Sequence, residues 1–164
     1  MLYLAYGSNL NIEQMAIRCP KSRKVGPASV KDYRLVFRDV ADVEPAPGQT
    51  LHLGAWRITP DCERVLDRYE GCRPDGRGLY RRELWPVAVR DGGKERVEDA
   101  LIYVMNRKGY YRPSMAYYNG IVDGYADFGL PEEALQEAFR LSGQLEDAER
   151  AGQRKRQRQP QSCT

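Results

Sequence analysis

The chain has 164 residues, 41% hydrophobic and 30% charged, which suits one domain large enough to bury a core. Its 26 Lys and Arg against 23 Asp and Glu leave a net charge of +3, too small to demand a polyanion, so no nucleic-acid partner is expected. Cys19, Cys62, Cys72 and Cys163 form no CxxC pair and His52 is the sole histidine, which argues against a zinc centre or a Cys–His dyad. No run nears the ~18 apolar residues of a membrane span, and Met1 leads into an apolar stretch without a basic leader. The thiols are therefore read as reduced and the protein as cytoplasmic.

Leu2-Tyr3-Leu4-Ala5 lacks polar alternation, as a strand buried on both faces would, and breaks into the polar turn Tyr6-Gly7-Ser8-Asn9-Leu10. Gly7 and Asn9 suit backbone angles closed to most residues, and a turn of this kind aims several N–H groups at one point, a site for a carboxylate or carbonyl oxygen. Taken alone, a strand-to-helix turn without a ligand explains these residue types as well. Asn11 with Gln14 resembles a capping box, and Pro20 ends the helix it starts. Residues 25–37 read as extended. Residues 39–50, holding Pro45, Pro47 and Gly48, read as a surface loop that could border a pocket.

A strand through Leu51, Leu53 and Ala55 leads to Thr59-Pro60-Asp61, where Thr caps, Pro fills the first helical position and Asp61 complements the dipole. Cys62, Val65, Leu66 and Tyr69 give that helix its buried stripe, and Gly71 stops it. Glu70 thus falls at a helix C-terminus, where unpaired carbonyls disfavour a carboxylate. Burial would push its pKa the same way, giving a group able to take and return a proton near neutral pH. A solvated glutamate beside a glycine cap is the plainer local alternative.

Residues 74–78 form a loop, followed by a strand from Leu79 to Val89 in which Pro86 marks an edge or bulge. Asp91-Gly92-Gly93-Lys94 is a hairpin turn and residues 97–105 the return strand. After a loop at 106–112, Ser114 opens a helix with Met115, Tyr118, Val122 and Tyr125 at helical spacing, ended by Gly129. Pro131-Glu132-Glu133 starts the last helix, packed through Leu135, Ala138 and Phe139. From Gly143 the apolar pattern fades, so the domain is placed at 1–143 and residues 144–164 are read as a disordered, basic, solvating tail. The order β-α-β-β-α-β-β-α-α, without βαβ alternation, is α+β.

Three separated pieces, Tyr6-Gly7-Ser8-Asn9-Leu10, Leu66-Asp67-Arg68-Tyr69-Glu70-Gly71, and Pro113-Ser114 through Tyr117 to Gly129-Leu130-Pro131, resemble in that order the gamma-glutamylcyclotransferase-like family, over residues 1 to about 141. The resemblance implies a small mixed β-barrel with peripheral helices and a pocket at the end of the first strand. It also implies an enzyme that cyclises γ-glutamyl compounds to 5-oxoproline, releasing an amine, as a monomer or homodimer without metal or cofactor. By position Glu70 matches the catalytic acid/base; Tyr3, Leu4, Ala5, Tyr6, Gly7 and Ser8, with Asn9 behind them, match the segment holding the γ-glutamyl group. Tyr117 matches a tyrosine that closes over the ligand, and Tyr80 stands where the family lines its pocket. Tyr69 and Cys72, beside Glu70 and Gly71, are further candidates for shaping it. Arg73, Arg77, Arg81 and Arg82 are candidates for an acidic leaving group, or else an exposed, solvated edge. A binding module that retains the pocket without turnover is the alternative function.

Overall fold

A computed structural model describes residues 1–158 and shows an α+β fold built on one five-stranded sheet. Strands β1 (Leu2–Ala5), β2 (Arg23–Arg38), β3 (Val40–Arg57), β4 (Tyr80–Asp91) and β5 (Lys94–Met105) lie in the order β2-β3-β1-β5-β4. Helices α1 (Ile12–Arg18), α2 (Pro60–Tyr69), α3 (Met115–Phe128) and α4 (Glu132–Arg158) surround it. Among these helices none is long and apolar enough to cross a membrane.

Strand β1 is central, antiparallel to β3 and parallel to β5. All four of its residues are buried, which is why they read as an unbroken apolar run. The sheet is not a closed barrel. Its outer strands β2 and β4 come together through the rings of Tyr33 and Trp85, 4.3 Å apart, without joining in a hydrogen-bonded ladder. Pro86 sits in β4, an edge strand, where a missing N–H is tolerated.

Residues 39–50 are not a loop. Their first half pairs back on β2 after a tight reversal at Asp39, which takes φ of 72°, and only the stretch between Pro45 and Thr50 leaves the ladder. Pro45 and Pro47 lack the amides a central strand needs. The irregularity is closed instead by the Gly48 N–H, which donates to Asp32 Oδ1 at 2.8 Å.

Thr59 and Ser114 cap α2 and α3 as expected, and Gly129 ends α3 at φ 63°. The Asn11 side chain accepts from the Gln14 N–H, but the Gln14 side chain does not return to Asn11; it accepts from Arg18. Two stripes differ from expectation. In α2 only Cys62 and Leu66 are buried, whereas Val65 and Tyr69 are exposed. In α3 the buried residues are Ile121, Gly124, Tyr125 and Phe128, while Met115 is exposed. Tyr118 packs on Phe139 with ring centroids 4.8 Å apart.

The expected tail is also corrected across its described part. Helix α4 continues past Gly143 to Arg158, held by polar contacts that hydropathy does not register. Glu146 is buried and accepts from Arg112 N and Nη1, both at 2.9 Å, and from Arg150 at 2.6 Å. Residues 159–164, including Cys163, lie outside the described residues. The other cysteines, Cys19, Cys62 and Cys72, are free thiols.

Candidate active site

The end of β1 carries the turn. Beyond Ala5, the Leu10 and Asn11 N–H groups bond back to the Gly7 and Ser8 carbonyls at 3.0 and 3.2 Å, making one turn of 3-10 helix at Ser8–Leu10. Gly7 has φ of −119° and ψ of −138°. Close approach crowds any side chain there: a Cβ would stand 3.0 Å from the Tyr117 hydroxyl and 3.2 Å from Ala41 Cβ. Gly124 matters in the same way, because a Cβ on it would fall 2.5 Å from Leu10 Cβ, so α3 lies directly on the turn.

A cavity of about 260 Å³ opens at this point. Tyr3, Tyr6, Gly7, Ser8 and Asn9 line one side, and Glu70, Tyr80 and Tyr117 line it from other elements. Eight of the ten expected site residues thus meet at one place. Leu4 and Ala5 do not reach the cavity; they are core residues whose role is to hold the strand. Val40, Ala41, Tyr69, Leu79 and Tyr103 complete the lining. Of these, Val40 and Ala41 belong to the segment expected to border a pocket, and Tyr69 to the positions expected to shape it. Cys72 does not line it.

Glu70 caps α2, its N–H bonded to the Leu66 carbonyl at 2.8 Å, and its half-buried side chain faces the cavity. Burial raises its pKa from 4.5 to about 7, against the opposing charge of Arg18 and a hydrogen bond from Asn9. The Asn9 amide is fixed at both ends. Its Nδ2 donates to Glu70 Oε1 at 3.0 Å and to the Tyr3 hydroxyl at 2.9 Å, while its Oδ1 accepts from Arg18 Nη1 at 2.7 Å. Its backbone carbonyl accepts from Trp56 Nε1 at 3.0 Å. Arg18 also donates to Ser8 Oγ and Gln14 Oε1 and lies 3.9 Å above the Tyr69 ring.

The tyrosines are neutral donors and acceptors held in place. Burial raises the pKa of Tyr3, Tyr6, Tyr80, Tyr103 and Tyr117. Tyr6 donates to the Tyr103 carbonyl at 2.5 Å, Tyr80 to the Ala41 carbonyl at 3.0 Å, and Tyr103 to Asp67 at 2.7 Å. The Tyr117 hydroxyl accepts from the Ala41 N–H at 3.0 Å, at the first residues of β3 beside the turn.

Residues 3–120 match the family described as gamma-glutamyl cyclotransferase, AIG2-like. The chain belongs to that family. It is 27% identical over 176 residues to mouse gamma-glutamylcyclotransferase, covering 94% of this chain and 90% of the mouse protein. The human gamma-glutamylcyclotransferase is also 27% identical, over 144 residues, which are 80% of this chain and 73% of that protein. A solved structure of a gamma-glutamyl cyclotransferase superposes with a TM-score of 0.69 at 25% identity, over 84% of this chain and 85% of the other.

Arg18 and Tyr103 of this family member are not legible as site residues in the sequence. Arg18 stands four positions after Gln14, one helical turn, and the helix start at Asn11 is the only signal that this face meets the turn. Tyr103 lies in a strand among six consecutive buried residues, where nothing separates a pocket residue from a core residue. Of the arginine cluster, Arg73, Arg81 and Arg82 pair with Asp75, Glu83, and Glu63 with Asp67 respectively, and none of the four lines the cavity.

Proposed function

We propose that this protein is a gamma-glutamyl cyclotransferase whose proton-transferring residue is Glu70, acting on a small γ-glutamyl compound in the cytoplasm. The α-ammonium of the substrate is no nucleophile until it gives up a proton, and Glu70 in its ionised form is the acceptor beside it. The freed amine attacks the γ-carbonyl carbon. A ring C–N bond forms, the original γ-amide C–N bond breaks, and 5-oxoproline leaves with an amine. Of the three protons on the ammonium, one stays on the ring nitrogen and two pass to the departing nitrogen, so no water is consumed.

Negative charge grows on the γ-carbonyl oxygen as the ring closes. The turn amides and the hydroxyls of Tyr3 and Tyr117, which accept from Asn9 and Ala41 and keep their own protons to give, are the donors available to it. Tyr3, Tyr6, Tyr80 and Tyr117 would hold the γ-glutamyl chain folded back on itself, and pre-orienting an intramolecular attack is worth about 7–11 kcal/mol. The observation that supports this reading most is a single carboxyl with a pKa of about 7, bonded to Asn9 of the turn inside the cavity.

The test is 5-oxoproline release from a panel of γ-glutamyl compounds. Wild type should release it and Glu70→Gln, which keeps shape but cannot titrate, should lose about 100- to 10,000-fold in kcat. A Glu70→Gln enzyme with near wild-type turnover would overturn the assignment. Silence of the wild type with retained 5-oxoproline binding would favour the non-catalytic module.

A further inference from the structure

If the turn, Asn9 and Glu70 hold the γ-glutamyl half, the departing amine faces the mouth of the cavity. The two most open lining residues there are Tyr69 and Leu79, 49% and 51% exposed, with Val40 partly buried. An exposed leucine is ordinary. The backbone of this one is pinned at the mouth: its N–H donates to the Gly71 carbonyl at 3.0 Å and its carbonyl accepts from the Asn106 N–H at 2.9 Å. Gly78 before it has no room for a side chain, since a Cβ would lie 2.0 Å from the Gly71 oxygen. Tyr69 is fixed as well, between the Arg18 guanidinium over its ring and the Ser8 hydroxyl 3.3 Å from its own. The mouth is a preformed apolar lip.

Charge points the same way. Among the described residues no lysine, arginine or histidine lines the cavity, and the one carboxyl lining it is that of Glu70. The cation nearest that carboxyl's network, Arg18, gives its hydrogen bonds to Ser8, Asn9 and Gln14. A carboxylate on the leaving amine would find no unengaged lining cation and would be repelled by ionised Glu70.

We infer that the lip of Val40, Tyr69 and Leu79 selects γ-glutamyl compounds whose leaving amine is neutral and apolar, an alkyl or aryl amine without a carboxylate. This rests on the cyclotransferase reading and names its substrate class. Each leaving-group methylene fully buried on the lip raises kcat/KM by about fourfold.

The experiment compares near-isosteric pairs: the γ-glutamyl amides of butylamine and benzylamine against those of γ-aminobutyrate and 4-aminomethylbenzoate, followed by 5-oxoproline release. The neutral member of each pair should be favoured by about tenfold or more in kcat/KM, mostly through KM. Leu79→Lys, a change at an exposed side chain, should raise kcat/KM for the acids and lower it for the neutral amides. Equal turnover of acid and neutral members, or a Leu79→Lys enzyme with an unchanged ratio, would overturn the inference and leave the cyclotransferase reading standing. Failure to release 5-oxoproline from any of the four would overturn both.

Discussion

At Glu70, burial opposes the Arg18 charge and the Asn9 hydrogen bond, and burial wins, lifting the carboxyl from 4.5 to about 7. The folded chain therefore keeps a proton that the unfolded chain releases in that window. Stability from this group is complete below 4.5 and is lost as pH rises through 7. Glu70→Gln removes the loss, so thermal melts should show its Tm advantage over wild type growing from pH 4.5 to above pH 7; a constant difference would mean the carboxyl is not shifted. Arg18 acts on the same group through Asn9. Arg18→Gln should lower kcat by about tenfold to a hundredfold, because the Asn9 amide loses the acceptor-side partner that orients it. It should also move the acidic limb of the rate profile upward. Arg18→Lys should restore that limb, which reports charge, but not kcat, which reports the two-pronged geometry. The place of Glu70 at a helix end is legible in the sequence because the Thr59 cap and the Gly71 stop can be read locally, whereas its role comes from the resemblance, a solvated glutamate being the plainer local reading. Arg18 is not legible, because its meaning depends on where an adjacent helix lands.

Among the elements, β1 is readable in full, since a strand buried on both faces writes an apolar run. The segment at 39–50 reads wrongly as a loop because Pro45, Pro47 and Gly48 are loop residues by type, yet they serve an irregularity of a few residues inside a long hairpin. Helix α3 reads with the neighbouring stripe for a similar reason. Ile121, Gly124, Tyr125 and Phe128 follow helical spacing, but glycine carries no hydropathy signal, and here it marks the line of closest contact with Leu10. Two helical glycines separate propensity from packing. A methyl group placed on Gly152 in α4 would meet nothing within 4 Å, so Gly152→Ala should stabilise by up to about 1 kcal/mol. At Gly124 the same gain is outweighed by overpacking against Leu10 and the Asn11 amide. Gly124→Ala should destabilise by about 1–3 kcal/mol in denaturant unfolding, and a stabilised Gly124→Ala would show that the helix is free to move off the turn.

For the molecule as a whole, the α+β class follows from the order of the elements and the expected place of the pocket from the resemblance, whereas the barrel that the resemblance implies does not close. Strands β2 and β4 meet by side chains alone, leaving an open sheet in place of the expected barrel. The second half of α4 escapes a hydropathy reading because it is held by Arg112, Glu146 and Arg150 in place of an apolar face. These distant parts serve one arrangement: β1 brings the turn, α2 brings Glu70, α3 brings Tyr117 and the β2–β3 hairpin brings Ala41 to a single cavity. The direct test of that arrangement is the pH dependence of kcat/KM for 5-oxoproline release. The account predicts an acidic limb with an apparent pKa of about 7, set by Glu70. A limb near 4.5, the ordinary value of a glutamate, or no limb at all, would contradict it.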